Sequence, residues 1–245
     1  MTSAAYIEKL NQKHPMVNLV SSDISKWMSH IAKTALTDIA IQLSQSTQMQ
    51  FVPETTNGNL CFVNNNDELR DDYKTSFAPM DILDHLYALL HSSRYHKKHG
   101  ELPIDVPELL DMPSSDLPKG EERQKYRDRF WQLVKLGGEL RRVHLLESPT
   151  VERSITEYPI DGDNMVGIPR HKDGKVFIND TKYFNNVPKA AWEYDMFGHR
   201  PAQKWLRDRH GRILSLADKL HYPKIIAALS ETERLVKEID QLSFL

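Results

Sequence analysis

Near residue 150 the periodicity of this chain changes, and that change constrains the fold more than any other feature. Upstream, apolar residues recur at three- and four-residue steps, the stripe of helices buried on one face. Ile24, Trp27, Met28, Ile31, Ala32, Ala35, Leu36 and Ile39 form one such stripe. Ile82, Leu83, Leu86, Leu89 and Leu90 form a second, after Pro79 at a first helical position and Asp81 in the first turn. Its expected stop is Arg94, His96, Lys97, Lys98 and His99 before Gly100. A third helix is expected over 121–146, with Phe130, Leu133, Val134, Leu140, Val143 and Leu146 apolar, and with Gly137-Gly138 allowing close approach of a neighbour or a kink. Residues 53–76 and 103–118 read as loops.

Downstream, short β-branched and aromatic runs (Val151–Tyr158, Met165–Ile168, Lys175–Asn179, Ala191–Phe197) are separated by Asp-Gly, Pro and Asn-Asn pairs. Helices return after Gly198. Pro201 opens one that stops near Gly211, Ser215 with Asp218 caps a short one, and Pro223 begins the last, with Ile225, Ile226, Leu229, Val236 and Ile239 as its stripe. The pattern specifies an α+β fold, a helical body with a small antiparallel sheet and C-terminal helices. The divisions expected are an N-terminal helical extension over 1–50 and a domain over 51–245, the latter helical over 77–147 and α/β over 150–245.

Charge narrows the function classes. Residues 165–225 carry 12 basic and 6 acidic side chains, inside a chain whose total is 32 against 34. A basic segment in an otherwise acidic chain points to a polyanionic partner better than the net −2 would. The single cysteine, Cys61, excludes an internal disulfide framework and a Cys-rich zinc site. No run approaches the ~18 apolar residues of a membrane span, and Met1–Tyr6 is unlike the start of a secretory signal. A cytoplasmic chain with no membrane contact is expected.

Two elements concentrate the positive charge. Asp173-Gly174 is a two-residue hairpin signal. Closing it pairs Lys172 with Lys175, Arg170 with Phe177 and Ile168 with Asn179 on one face, leaving His171, Val176, Pro169 and Ile178 on the other. A basic face with an aromatic and an amide suits a β-ribbon at a DNA groove. The same composition suits a solvated hairpin whose lysines discourage edge pairing. On the helix from Pro201, Arg200, Gln203, Lys204 and Arg207 share one side, with Ala202, Trp205 and Leu206 opposite, while Arg209 and Arg212 extend the charge. Arg and Gln can read guanine and adenine edges, whereas Lys mostly neutralises phosphate.

Catalytic patterns are sparse. The chain has no phosphate-binding G-x-x-x-x-G-K-[ST], no G-x-G-x-x-G, no H-E-x-x-H and no G-x-S-x-G. His91, His96 and His99 do not share a helix face, so no metal and no cofactor is expected. Asp161 with Asp173-Gly174-Lys175 has the order of a Mg²⁺ nuclease set, although a turn already accounts for Asp173.

Arg200–Ser215 and Leu220–Thr232 resemble the C-terminal specificity domain of type ISP and related type IIG restriction-modification enzymes. Phe51-Val-Pro-Glu, Asp81–Ser92, Trp131–Arg141, His144–Pro149 and Lys175–Asn179 agree in order. The resemblance runs from about residue 51 to the end. It implies a target-recognition domain that binds double-stranded DNA and serves an adenine methyltransferase or nuclease, as domain or separate subunit, within a restriction-modification and phage-defence setting. The methyltransferase tetrapeptide and Gly-rich cofactor loop are missing, so catalysis by this chain is not implied. The family's Gly-Gly-Tyr-Gln stands here as Phe197-Gly198-His199-Arg200, and a common capping Thr as Ala78. DNA contact is thereby expected from Arg170, Lys172, Lys175, Asn179, Arg200, Gln203, Lys204, Arg207, Arg209 and Arg212. The competing expectations are a protein-interaction scaffold or inhibitor derived from such an enzyme, and a Mg²⁺ nuclease.

Overall fold

The computed structural model describes residues 36–53, 75–94, 97, 119–153, 156–158, 162–196 and 198–242. Most of the N-terminal stripe and of the two expected loops lies outside them, as do Asp161, His96 and His99. The fold is α+β. Two compact units are present, one of the described residues within 26–141 and 236–245, the other of those within 142–235.

In the first unit, α1 (Leu36–Thr47) leads into β1 (Gln50–Phe51), which pairs in parallel with β2 (Ser76–Phe77). Phe77 is fully buried, its ring 5.5 Å from Phe51 and 5.8 Å from Phe130. Helix α2 (Pro79–His91) begins as expected, with Pro79 at its first position and the Asp81 carboxylate accepting the Ala78 N–H at 2.7 Å. Ala78 offers no side-chain oxygen in return, so only half of a capping box forms.

Helix α2 departs from expectation in two ways. It stops at His91, well before Gly100, because Ser92 leaves helical geometry (ψ 123°). The Asp240 carboxylate then accepts the Ser92 hydroxyl at 2.7 Å. The helix also buries nearly its whole circumference, with Asp81, Asp84 and His85 inside as well as the leucines.

Helix α3 (Glu121–His144) supplies the reason for the buried Asp84. Arg141 donates to both Asp84 oxygens, at 2.7 and 3.1 Å. Gly137 lets the two helices meet, since a Cβ there would overlap the Asp84 backbone carbonyl. The Gly137-Gly138 pair therefore serves close approach.

The second unit centres on an antiparallel sheet of β3 (Arg170–Lys172), β4 (Lys175–Phe177) and β5 (Tyr183–Phe184). Val176, Ile178 and Phe184 are fully buried beneath it. Phe184 meets Tyr222 at 4.4 Å, and Trp205 meets Tyr222 at 5.2 Å. Strand β5 has no counterpart among the expected runs. Val151 lies in a 3-10 turn (Pro149–Glu152), and Ala191–Glu193 belong to a helix, α4 (Lys189–Glu193), started at Pro188, where a strand was expected. Five residues are too few for helical period to show in sequence.

Helix α5 (Pro201–Arg207) is followed by α6 (Leu216–Leu242). The Ser215–Asp218 box forms in both directions, at 3.0 and 3.1 Å. The helix it opens is long, however, and Pro223 lies inside it. Proline removes one backbone donor there. Burial of Tyr222, Ile225, Ile226 and Leu229 on both sides of it outweighs that loss.

His144 is buried near the start of the second unit. Thr232 donates its hydroxyl to the Ala228 carbonyl and so accepts from His144 Nε2, at 2.7 and 2.9 Å. Burial pushes the His144 pKa down to about 3. The folded chain keeps this ring neutral while the unfolded chain protonates it below about 6.5. Stability is thus complete above that pH and falls as pH drops towards 3. Between pH 7 and 5 the wild type should lose about 2 kcal/mol more than His144→Gln, read from urea midpoints.

Candidate nucleic-acid interface

The hairpin of the basic segment has the expected register. Arg170 faces Phe177, His171 faces Val176 and Lys172 faces Lys175. Asp173 (φ 51°) and Gly174 (φ 73°) both take the left-handed conformation that a two-residue turn of this type needs. Asp173 thus sits at an exposed tip and not in a cleft. The back of the hairpin is anchored, with the His171 ring bonded to the Val187 carbonyl at 2.9 Å and stacked on Trp192.

The ladder ends at Arg170 and Phe177, two rungs earlier than expected. Ile168 does not pair with Asn179, because Asn179 turns the chain back on itself. Its oxygen accepts the N–H groups of Thr181 and Lys182, at 3.0 and 2.8 Å. Its amide donates to the Asp163 and Met165 carbonyls, at 2.8 and 2.9 Å. Both ends of this side chain are engaged in holding the loop.

The remaining hairpin candidates divide by partner. Arg170 lies over the Phe177 ring (5.3 Å) and reaches Asp180 at 3.2 Å, an exposed pair worth about 0–1 kcal/mol. The Lys175 ammonium lies 4.4 Å from the Tyr183 ring centroid. The Lys172 side chain is exposed and bonds to no other described residue.

Helix α5 buries Ala202, Trp205 and Leu206, as its period predicts. Opposite them, Lys204 pairs with Asp208 at 2.6 Å, and Gln203 donates to the Trp192 carbonyl at 3.1 Å. Arg207 is exposed and, like Arg200 before the helix, has no side-chain partner among the described residues. Arg209 is a brace. Its guanidinium stacks 3.5 Å from the Trp205 ring centroid and donates to Asp218 at 3.0 Å. Partial burial pushes the Asp218 carboxyl up, but the hydrogen bonds from Ser215 and Arg209 outweigh it and hold the pKa below its usual range. Gly198 (φ 78°) makes the turn before Arg200, and its N–H donates to Asp195 at 2.8 Å.

Backbone bonds bring hairpin and helix together. Gly211 N–H donates to Val166 at 2.7 Å, Val166 N–H to Arg212 at 2.9 Å, and Leu214 N–H to Asn164 at 3.0 Å. The segment after α5 thereby runs beside the strand entering the hairpin, and exposed Arg212 sits at their junction. A cleft of about 460 Å³ opens between the two elements, lined by Ile168, Pro169, Trp192, Gln203, Arg207 and His210. Trp192 and His210 line this cleft and are not among the expected contacts, Trp192 because its run reads as a strand. Among the described residues no group of three potential metal ligands occurs, and no helix is long and apolar enough to cross a membrane.

The family model described as Type ISP C-terminal specificity domain matches residues 62–238. No curated protein matches the chain. Among solved structures, a nuclease-deletion mutant of the Type ISP restriction-modification enzyme LlaGI in complex with a DNA substrate mimic is 22% identical, with a TM-score of 0.40. That likeness covers 65% of this chain and 13% of that one. The ATP-dependent Type ISP restriction-modification enzyme LlaBIII bound to DNA is 20% identical, with a TM-score of 0.41. There the coverage is 66% of this chain and 11% of the other.

Proposed function

The chain belongs to the family of Type ISP C-terminal specificity domains, and on that premise we propose that it recognises a sequence in double-stranded DNA on behalf of a methyltransferase or nuclease partner. The observation that carries the reading is the set of free cations within residues 165–225. Lys172, Arg200, Arg207 and Arg212 have no side-chain partner among the described residues, and they are carried by the hairpin, by the start and end of α5 and by the segment that follows it. Unpaired cations on both elements leave the local +6 of residues 165–225 available to phosphates. Arg170, Lys175 and Lys204, each already held by a ring or a carboxylate, add to the field. Asn179 and Arg209 act by shaping the surface. In this setting the chain supplies specificity to restriction-modification, the chemistry coming from the partner and the setting being defence against phage DNA.

Affinity for mixed-sequence duplexes measured across salt concentrations tests this. Log affinity should fall linearly with log salt at a slope of about −0.9 per phosphate contact. Absence of duplex binding, or binding indifferent to salt, overturns the reading.

One observation favours a protein-interaction scaffold. Leu216 (72% exposed) and Leu220 (62%) border a groove with Val151, Tyr158 and Pro223. Association with a partner protein together with no affinity for DNA would select it.

A further inference from the structure

We infer that the cleft between hairpin and α5 reads an A·T base pair, Gln203 recognising the adenine edge and Ile168 the thymine methyl; this rests on the DNA-binding reading above. A glutamine amide has two N–H donors and an oxygen acceptor. The bond from Gln203 to the Trp192 carbonyl, at 3.1 Å, takes one N–H and fixes which end of the amide is nitrogen. Flipping the amide would set its oxygen against that carbonyl. One N–H and the oxygen remain to bond elsewhere, and Gln203 is half-buried in the cleft.

That pair matches a single base edge in the major groove. Adenine presents an acceptor at N7 and a donor at N6, whereas guanine presents two acceptors, one of which would face the Gln203 oxygen. Ile168 supplies the complementary half. It is 79% exposed, unusually so for an isoleucine, and it lines the same cleft with Pro169. Thymine is the base with a methyl group in the major groove, the natural mate of an exposed aliphatic side chain. Arg207, one turn beyond Gln203 on the same helix face, is free to hold the neighbouring phosphate.

Selection of bound duplexes from a randomised pool by the full chain, followed by base analogues at the selected positions, tests this. An A·T pair should emerge at which 7-deazaadenine weakens wild-type binding about tenfold. Uracil in place of its thymine should weaken binding about fourfold. Gln203→Leu should abolish the first sensitivity and Ile168→Ala the second. Because the analogues alter only the DNA, their effects on wild type do not depend on how a variant folds. A G·C pair in that place, or sensitivities unchanged in both variants, overturns this inference while salt-dependent binding leaves the broader reading standing. Absence of duplex binding overturns both.

Discussion

Replacing Lys172, Arg200, Arg207 and Arg212 together with alanine is expected to reduce the salt slope of duplex binding by about 3 to 4 units. Affinity near physiological salt should fall by about two to three orders of magnitude. Each of these side chains is exposed and bonds to no other described residue, so thermal stability should hardly change. The contrast with Arg209→Ala is the informative control. Arg209 is stacked on Trp205 and paired with Asp218, so its loss should be felt mainly in the melting temperature. A quadruple variant that binds with unchanged slope would remove these four cations from the contact surface.

The second large effect concerns a glycine. Gly137→Ala, inside a helix, would ordinarily stabilise by about 1 kcal/mol. Here the new Cβ would overlap the Asp84 carbonyl, which is backbone and cannot swing aside. The expected result is a loss of about 3 kcal/mol, seen as a lower urea midpoint. Gly138→Ala should be milder, because its nearest neighbour is the Asp84 side-chain oxygen, at 2.9 Å. Stabilisation by Gly137→Ala would show that α2 and α3 do not approach at this point.

Local chemistry was legible in the sequence, and long-range chemistry was not. The hairpin register follows from Asp173-Gly174 and a two-residue pleat, and the buried side of α5 follows from its period. The Ser215–Asp218 cap needs only residues three apart. By contrast, nothing near Asp84 announces that Arg141, on another helix, will pair with it and allow α2 to be buried all round. Pro223 reads as a helix start because proline is best tolerated there, yet the packing of Tyr222 and Ile225 decides otherwise. Trp192 and Gln203 meet through a carbonyl–amide bond between separate helices. For the candidate interface the sequence indicated which elements carry cations. It could not tell the free ones from Arg209, or a loop staple such as Asn179 from a reader of bases.

The rings beneath the hairpin cations have an entropic consequence. Arg170 over Phe177 and Lys175 over Tyr183 rest in contact with aromatic faces before any anion arrives. Ordering a long, freely rotating side chain on association costs about 0.5–1.5 kcal/mol. Side chains already confined by a ring forfeit less rotamer freedom when they engage a phosphate. Their share of the association should therefore carry a smaller entropic penalty in calorimetry than that of Lys172, which no ring restrains.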